Sequence, residues 1–248
     1  MAATACAGLL AAAPVQAADP APAKGWESVA SLGITLTRGN SETFLGTVGV
    51  NSQRKWSRDE ILLGASAGYG ENTSVDPVDG SDEHNTTDQY AKAFGQYNHL
   101  FNEQIYGGLR LDANYDAVAG VDYRLTLSPL VGYYFIKNAS TLLAGEAGPG
   151  FVAENLAHEK ADQYITLRLA QRFEHKFGDK GKVWESVEWL PRFDDFGDYV
   201  LNAEIGASAA ITKAIELRLV LQDTYRSEPP AGREQNDLKI IAGVGYRF

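Results

Sequence analysis

The last twelve residues of the chain, 237–248 (DLKIIAGVGYRF), decide the fold class. Every second residue from Leu238 to Phe248 is apolar, and the intervening positions include Asp237, Lys239 and Arg247. Successive side chains of a β-strand point to opposite faces of the sheet. The segment is therefore predicted to be a strand with one apolar face and one polar face.

The same two-residue alternation recurs through the upstream sequence and predicts about twelve strands. Each predicted strand is longer than the ~5–6 residues common in soluble proteins, and is long enough for the ~9–11 residues of a tilted membrane strand. The predicted ranges are 26–37, 43–56, 60–71, 87–100, 104–116, 121–136, 140–153, 161–176, 182–193, 198–211, 215–226 and 236–248.

The connections between these strands alternate in length. Short turns are predicted near 57–59, 102–103, 137–139, 178–181 and 213–214, and longer links near 72–86, 154–160, 194–197 and 227–235. The links 38–42 and 117–120 are short although they belong to the second group. Short turns at one end and longer loops at the other are typical of bacterial outer-membrane barrels. An even strand number places both termini at the short-turn end, which is the periplasmic end in such barrels.

Composition excludes several other classes of protein. The chain has 248 residues, a formal charge of −10, one Cys and 10 % aromatic residues. Its acidity disfavours nucleic acid as a partner, a single Cys excludes a disulfide framework, and the aromatic content argues against disorder. Apolar runs of ~18 residues, which a membrane helix needs, do not occur after the N-terminus.

The large aromatic residues of the apolar face indicate which way that face points. They lie toward strand ends, as expected for membrane-interface residues with an apolar body and a polar tip. A closed barrel also cannot bury the apolar faces of about twelve strands inside itself. We therefore predict an all-β, transmembrane, antiparallel up-and-down β-barrel of about 12 strands in contact with outer-membrane lipid and lipopolysaccharide. The predicted interface aromatics are Trp56, Tyr69, Tyr97, Tyr115, Tyr123, Tyr133, Phe135, Phe151 and Phe173, with Phe248 at the last strand.

The N-terminal segment has the pattern of a secretory signal. Residues 2–13 are small and mostly apolar, and Val15-Gln16-Ala17 fits a signal-peptidase site. No charged residue precedes Asp19, which suggests a start internal to a longer signal. The predicted organisation is a signal peptide over 1–17, a periplasmic lead-in over 18–25 and a barrel over 26–248.

Two stretches resemble known outer-membrane proteins. The ending Val244-Gly-Tyr246-Arg-Phe248 resembles the C-terminal strand that the barrel-assembly machinery reads, which implies that Val244, Tyr246 and Phe248 form an assembly signal. The opening 26–43 (WESVASLGITLTRGNSET) resembles the first hairpin of the domain of unknown function 481 family, although Ser41 stands where members usually carry Thr. Members of that family are described as salt-induced outer-membrane proteins. The resemblance implies a location and a fold, and it implies no reaction.

The polar faces of the predicted strands carry charges of both signs, and these charges are expected to line the lumen. Because they nearly balance, the excess acidity of the chain is assigned to loops and turns. Opposite charges within a low-dielectric wall are expected to pair across the lumen, which predicts a narrow, wet, charge-crossed interior. The pattern does not reveal strand register, so no specific pair is assigned. The predicted lumen-lining charges are Lys92, Arg110, Asp112, Arg124, Glu146, Arg168, Arg172, Glu174, Glu188, Glu204, Glu216, Arg218, Asp237, Lys239 and Arg247.

Candidate chemical sites outside the lumen are few. His84 and His158 lie in predicted outer loops and are either solvated residues or parts of a rim enzyme; His99 and His175 lie near short turns, with no carboxylate partner readable from spacing. Gly39-Asn40 suits a tight hairpin. An acidic cluster could bind a divalent cation through oxygen ligands, but its spacing does not match a calcium loop. Its members are Asp76, Asp79, Asp82, Glu83 and Asp88.

Three functions remain open at this point. The first is a narrow charge-lined channel or envelope-stability protein linked to salt or osmotic stress. It would have no enzymatic activity and no cofactor, and its candidate partners would be small solutes or ions. The second is an outer-membrane rim enzyme, either a protease or a lipid hydrolase. The third is a soluble periplasmic β-barrel that binds apolar ligands.

Overall fold

A computed structural model describes residues 25–37, 43–75, 82–158, 160–230 and 233–248, with the side chains of 35–37, 43–44, 72–75 and 82–84 left undescribed. The predicted signal peptide, most of the lead-in, and Gly39-Asn40 lie outside this range. The described residues form twelve strands and contain no helix able to cross a membrane. The strands are β1 (Glu27–Thr37), β2 (Thr43–Lys55), β3 (Asp59–Val75), β4 (Asp82–Leu100), β5 (Ile105–Asp116), β6 (Val121–Lys137), β7 (Thr141–Leu156), β8 (Asp162–Lys176), β9 (Gly181–Pro191), β10 (Tyr199–Ala210), β11 (Ile215–Arg226) and β12 (Asn236–Arg247).

The strands close into one antiparallel barrel. Each strand pairs with its neighbours in sequence, and β12 pairs with β1 through Val29↔Arg247 to Ile34↔Ala242. The predicted strand number and up-and-down topology are confirmed. We call the end that carries the chain termini and the short connections the turn end, and the opposite end the loop end.

The predicted long link over 72–86 is wrong. The third strand continues to Val75 and the fourth begins at Asp82, with these two residues paired. A shift of register between Gly70 and Glu71 interrupts the ladder there. The alternation weakens in the polar sequence beyond this shift, which is why the pattern does not reveal the extension of the strands.

The apolar faces of the strands point out of the barrel. Leu32, Leu111, Ile205 and Leu219 are each more than half exposed on the outer surface. A soluble barrel would turn such residues inward, so the outward apolar face agrees with a lipid-facing wall. Glu185 of β9 breaks this face, since its register partners are the outward-pointing residues of the neighbouring strands.

Four aromatic rings inside the barrel lie on glycines of the adjacent strand. A Cβ atom on Gly64 would lie 2.2 Å from the Phe94 ring, and one on Gly132 would lie 2.1 Å from the Tyr106 ring. Glycine is required at these positions because any side chain would displace the ring. The register-matched pairs are Gly64 with Phe94, Gly68 with Tyr90, Gly132 with Tyr106, and Gly206 with Trp184.

One side of the lumen is filled at the turn end. Leu100, Tyr106, Leu130, Tyr134 and Ala144 form a buried cluster in which the two tyrosine rings pack 4.8 Å apart, measured between centroids. This cluster occupies the β4–β7 side of the barrel. Open space therefore remains along the β1–β3 and β8–β12 sides.

Candidate functional site

The candidate site is the lumen, which contains a cavity of about 910 Å³. Its lining includes Val29 and Lys182 near the turn end and Arg226 and Pro230 near the loop end. The cavity therefore follows the barrel axis over most of its length. Its wall has two chemically different parts.

The first part, which we call the plain wall, is the lumen face of β1–β3. Among the described side chains of these strands, lumen-facing charge occurs near the turn end, at Glu27, Lys55 and Glu60. Farther along the axis the residues are small and uncharged. The plain wall consists of Ser31, Gly33, Thr47, Gly49, Asn51, Gly64 and Ser66.

The second part contains a continuous ionic chain that starts on β5. The Arg110 guanidinium binds Asp112 through two nitrogens, with N–O distances of 2.7–3.1 Å, and donates to Gln96 Oε1 at 3.1 Å. The Gln96 amide nitrogen then donates to Glu146 at 2.7 Å. Because Gln96 lies on β4 and Glu146 on β7, this bond crosses the lumen past β5 and β6.

The ionic chain continues from Glu146 to the β8–β11 side. Arg168 donates to Glu146 at 2.8 Å and to Glu188 at 2.6 Å. Arg168 is only 4 % exposed, and removal of its charge would leave Glu146 and Glu188 without their ion-pair partner. Glu188 accepts from Asn202 at 3.3 Å, and Asn202 accepts from Thr224 at 3.2 Å. We define the ionic chain as Asp112, Arg110, Gln96, Glu146, Arg168 and Glu188.

A separate polar group lies on β9–β12. Glu204 accepts hydrogen bonds from the Trp184 indole at 2.6 Å and from Gln222 at 2.8 Å. Nearer the turn end, Glu216 is 1 % exposed and pairs with both Arg218 and Arg247. These contacts bind β11 to β12 on the lumen side.

An ion pair also spans the barrel seam. The Lys239 ammonium of β12 contacts Asp88 of β4 at 2.8 Å and Asp237 at 3.3 Å. Asp88 therefore faces the lumen. The prediction that it belongs to an acidic loop cluster is wrong. Of the other acidic residues proposed with it, Asp76 and Asp79 lie outside the described residues. The described residues include no group of side chains arranged to hold a metal ion.

Cations cover the lumen faces of three of the four rings that lie on glycines. Arg110 is 4.2 Å from the Phe94 ring centroid, and Lys239 is 4.4 Å from that of Tyr90. Arg218 lies 4.9 Å from the Trp184 ring. Phe94, Tyr90 and Trp184 thus each have glycine behind the ring and a cation in front, an attraction worth about 0.5–1 kcal/mol per contact at exposed sites.

A smaller cavity of about 230 Å³ opens beside the main one at the loop end, and we call it the mouth cavity. Arg124 pairs with Glu154, and Tyr164 donates to the same carboxylate at 2.8 Å. Arg192 stacks over Tyr164 at 4.0 Å and contacts Asp162 at 3.1 Å.

The predicted lumen charges lie on the lumen side of the wall by register. Twelve of the fifteen line the main cavity directly, and the remaining three, Glu216, Lys239 and Arg247, reach the lumen through the ion pairs described above. Sequence reasoning missed several lumen charges near strand ends, where the strand boundaries were uncertain. Continuing the alternation to the ends of the strands would have revealed Lys55, Glu60, Asp88, Asp116, Glu154, Lys182 and Arg226.

The predicted interface aromatics lie on the outer surface. Phe135 and Tyr69 are at least half exposed, and Phe173 points outward by its pairing with Leu143. A further aromatic group at the loop end was not predicted, because part of it follows the strand in a connection without alternation. It consists of Trp189, Phe193, Phe196, Tyr199 and Tyr225.

The histidines are not brought together. His99 contacts Asp59 at 2.8 Å and His175 contacts Thr141 at 2.8 Å, both on the outer face near the turn end. The contact between His99 and Asp59, which are 40 residues apart, is one that sequence spacing does not reveal. His158 lies in the β7–β8 connection with φ of 67°, and His84 lies in β4 rather than in a loop.

Comparisons with known proteins agree with this architecture. The model of a family described as "Protein of unknown function, DUF481" matches residues 30–248. No curated protein sequence matches the chain. Among solved structures, the NanC porin has a TM-score of 0.54 at 9 % identity, over 90 % of this chain and 100 % of that one. An outer-membrane channel from Pseudomonas putida F1 has a TM-score of 0.52 at 9 % identity, over 96 % of this chain and 100 % of the other. At such identities these likenesses concern the fold alone.

Proposed function

Because the chain belongs to the DUF481 family, whose description names no activity, we propose its function from its geometry: a narrow outer-membrane channel for small polar solutes. The observation that carries this proposal is the cavity of about 910 Å³ that follows the barrel axis between the plain wall and the charged side. Barrels of eight strands are filled by side chains and those of 16–18 strands leave a wide channel. A partly filled twelve-stranded lumen fits between these cases.

The charges of the lumen support a pore of low ionic bias. Within the ionic chain Arg110 pairs with Asp112, and Arg168 pairs with Glu146 and Glu188. Paired charges present hydrogen-bonding groups to a passing solute without a strong field of one sign. Neutral polar solutes and small ions of both signs are therefore the proposed cargo, and arginines 110, 124, 168, 172 and 218 would tune their passage.

Single-channel recording in planar bilayers tests the proposal. The refolded wild-type barrel should show small discrete conductance steps, and Trp184→Ala should increase the step size because the ring lines the cavity. Phe151→Ala on the outer surface, where the ring is 48 % exposed, should leave the step unchanged. No conductance from the wild type and from Trp184→Ala would reject the channel and favour a purely structural role.

A link to salt stress is part of the same proposal. Ionic strength shortens the Debye length from about 10 Å at 0.1 M to about 3 Å at 1 M, which weakens the more exposed lumen contacts such as Lys182–Glu174. Conductance should then rise with salt faster than the conductivity of the solution. Glu174→Gln, which removes one of these charges, should reduce the excess. A strictly proportional rise in the wild type would reject the link.

The proposed setting is the outer membrane of a Gram-negative bacterium, with the apolar surface in lipid and lipopolysaccharide and both termini in the periplasm. The outward apolar face and the band of exposed aromatics support this setting. Val244, Tyr246 and Phe248 are more than 45 % exposed on the last strand, which suits reading by the barrel-assembly machinery. Protease accessibility of tags on each terminus in intact cells tests the orientation, and cleavage from outside would contradict it.

A further inference from the structure

The mouth cavity has a division of charge that the channel proposal does not explain. Its lining includes Arg124 and Arg226 from β6 and β11, and Asp198 and Glu228 from the loops that follow β9 and β11. Arg124 and Arg226 also line the main cavity, so the mouth cavity adjoins the lumen. A solute in the loop end of the lumen can reach these two guanidinium groups.

The basic part of the cavity is incompletely neutralised. Arg124 is paired with Glu154, but Arg226 forms no ion pair within the described part of the chain. Arg226 is partly buried, and the positive charge of Arg124 acts on it. Arg124 and Arg226 share one close carboxylate, that of Glu154, so a further anion would be stabilised beside Arg226. The planar donor array of Arg suits a carboxylate.

The acidic part of the cavity is also incompletely neutralised. Burial raises the pKa of the Asp198 carboxyl above its usual range, and the charge of Glu228 raises it further. The nearest cation of Asp198 is Arg192 at 3.6 Å, and that guanidinium is shared with Asp162 and Asp194. Glu228 forms no ion pair among the described residues. A cation placed between Asp198 and Glu228 would relieve their repulsion.

We propose that the mouth cavity binds a small zwitterionic solute of the α-amino-acid class, with its carboxylate at Arg226 and its ammonium group at Asp198 and Glu228. The inference rests on the proposed channel function and names a class of solute for it. The volume of about 230 Å³ suits one small molecule and is below the ~300–1,000 Å³ of pockets for drug-sized ligands. A simple anion would neutralise Arg226 alone, and a simple cation would neutralise the two carboxylates alone.

Ligand-observed saturation-transfer NMR on the full barrel in detergent micelles tests the proposal without requiring transport. The probes are L-alanine, propionate and ethylammonium, which share size and differ in charge. L-alanine should bind about tenfold more tightly than either singly charged probe, the weight of one additional charged hydrogen bond. Equal binding of propionate and L-alanine would overturn the zwitterion site.

Two charge-removing variants test the basic part and the acidic part of the mouth cavity separately. Arg226→Gln should weaken L-alanine and propionate alike, whereas Glu228→Gln should weaken L-alanine and leave propionate bound as before. Lys213→Gln and Glu103→Gln, at exposed connections of the turn end, remove the same charges far from the cavity and should change nothing. Loss of L-alanine binding in these controls, or unchanged binding in Arg226→Gln, would overturn the proposal.

Heat-dependent mobility on SDS gels verifies that each variant is folded. Because binding is measured in micelles, a barrel that binds L-alanine but conducts nothing would reject the channel and keep the site. A barrel that conducts but does not discriminate among the probes would keep the channel and reject the site.

Discussion

The plain wall and the ionic chain face each other across one lumen and limit its width in different ways. On the plain wall, Gly64 and its neighbours leave room, and the Phe94 ring of the next strand lies flat in that room. In the ionic chain, Arg168 and Glu146 fill space with long side chains that hold one another in place. The plain wall is defined by glycines and small uncharged side chains, and the ionic chain by ion pairs and hydrogen bonds between long side chains.

The difference teaches where the barrel tolerates change. A charge removed from the ionic chain leaves partners without compensation inside the wall, while an atom added to the plain wall moves a ring. The first effect is electrostatic and large, and the second is steric and smaller. The four predictions below are arranged in that order.

The largest effect is expected from Arg168→Met. The variant leaves Glu146 and Glu188 without their cation in a site where Arg168 is 4 % exposed. Breaking a buried pair by removing one partner costs about 3–5 kcal/mol. Urea unfolding in micelles, followed by Trp fluorescence, measures the loss. Combining the change with Glu146→Gln and Glu188→Gln should restore most of the stability, and an unchanged midpoint in the single variant would contradict the role of the chain.

A smaller effect is expected from Gly64→Ala on the plain wall. The new Cβ would lie 2.2 Å from the Phe94 ring, which must swing into the lumen. We expect a loss of about 1–3 kcal/mol, the range for overpacking, because Arg110 lies over the lumen face of the ring and must move with it, together with a smaller conductance step. Gly95→Ala on the outer face is the matched control, since its Cβ meets only Leu63 at 3.5 Å. Equal effects of the two variants would show that the ring does not depend on Gly64.

A negative charge added to the plain wall beside Lys92 should not destabilise the barrel. Ser66 is paired in register with Lys92, which has no ion pair among the described residues. Ser66→Asp should gain about 0.2–1 kcal/mol from this cross-strand pair and shift the reversal potential in a KCl gradient toward cation preference. Ser66→Asn serves as the uncharged control. A destabilised barrel would mean that the plain wall excludes charge.

The smallest effect concerns Asp198 at the mouth. Its raised pKa means that the protonated form favours the folded state, so this contribution is present at low pH and is lost as pH rises through the raised pKa. Asp198→Asn should therefore exceed the wild type in stability at pH 7.5, within about 0.5 kcal/mol, and match it below the ordinary pKa of Asp. Unfolding midpoints at pH 3.5 and 7.5 measure this difference. A larger advantage at the lower pH would contradict the assignment.

The sequence predicted the barrel well because the alternation reports directly on the two faces of each strand. In β11 and β12 the apolar residues Leu217, Leu219 and Val244 fall on the outer face, with Val220 and Ile241 as the exceptions on the lumen face, so strand number and orientation followed. The prediction was wrong at β3 and β4, where polar residues continue the strands beyond the apolar pattern. The period cannot identify a strand both of whose faces are polar.

The lumen was predictable only as a set of residues. Which cation meets which carboxylate depends on register and on the length of each side chain across the lumen. Gln96 and Glu146 are 50 residues apart in sequence and lie three strands apart in the sheet, yet they share a hydrogen bond. Likewise, the contact of Phe94 with Gly64 becomes visible only when β3 and β4 are aligned. Local sequence patterns carry no information about such partners.

The ion pair between Lys239 and Asp88 has a consequence for assembly of the barrel. It joins the last strand to the fourth across β1–β3, so it can form only after those three strands are in place and the seam has closed. A sheet of the same twelve strands with an open seam lacks this contact. The pair therefore stabilises the closed barrel specifically over open, partly assembled forms.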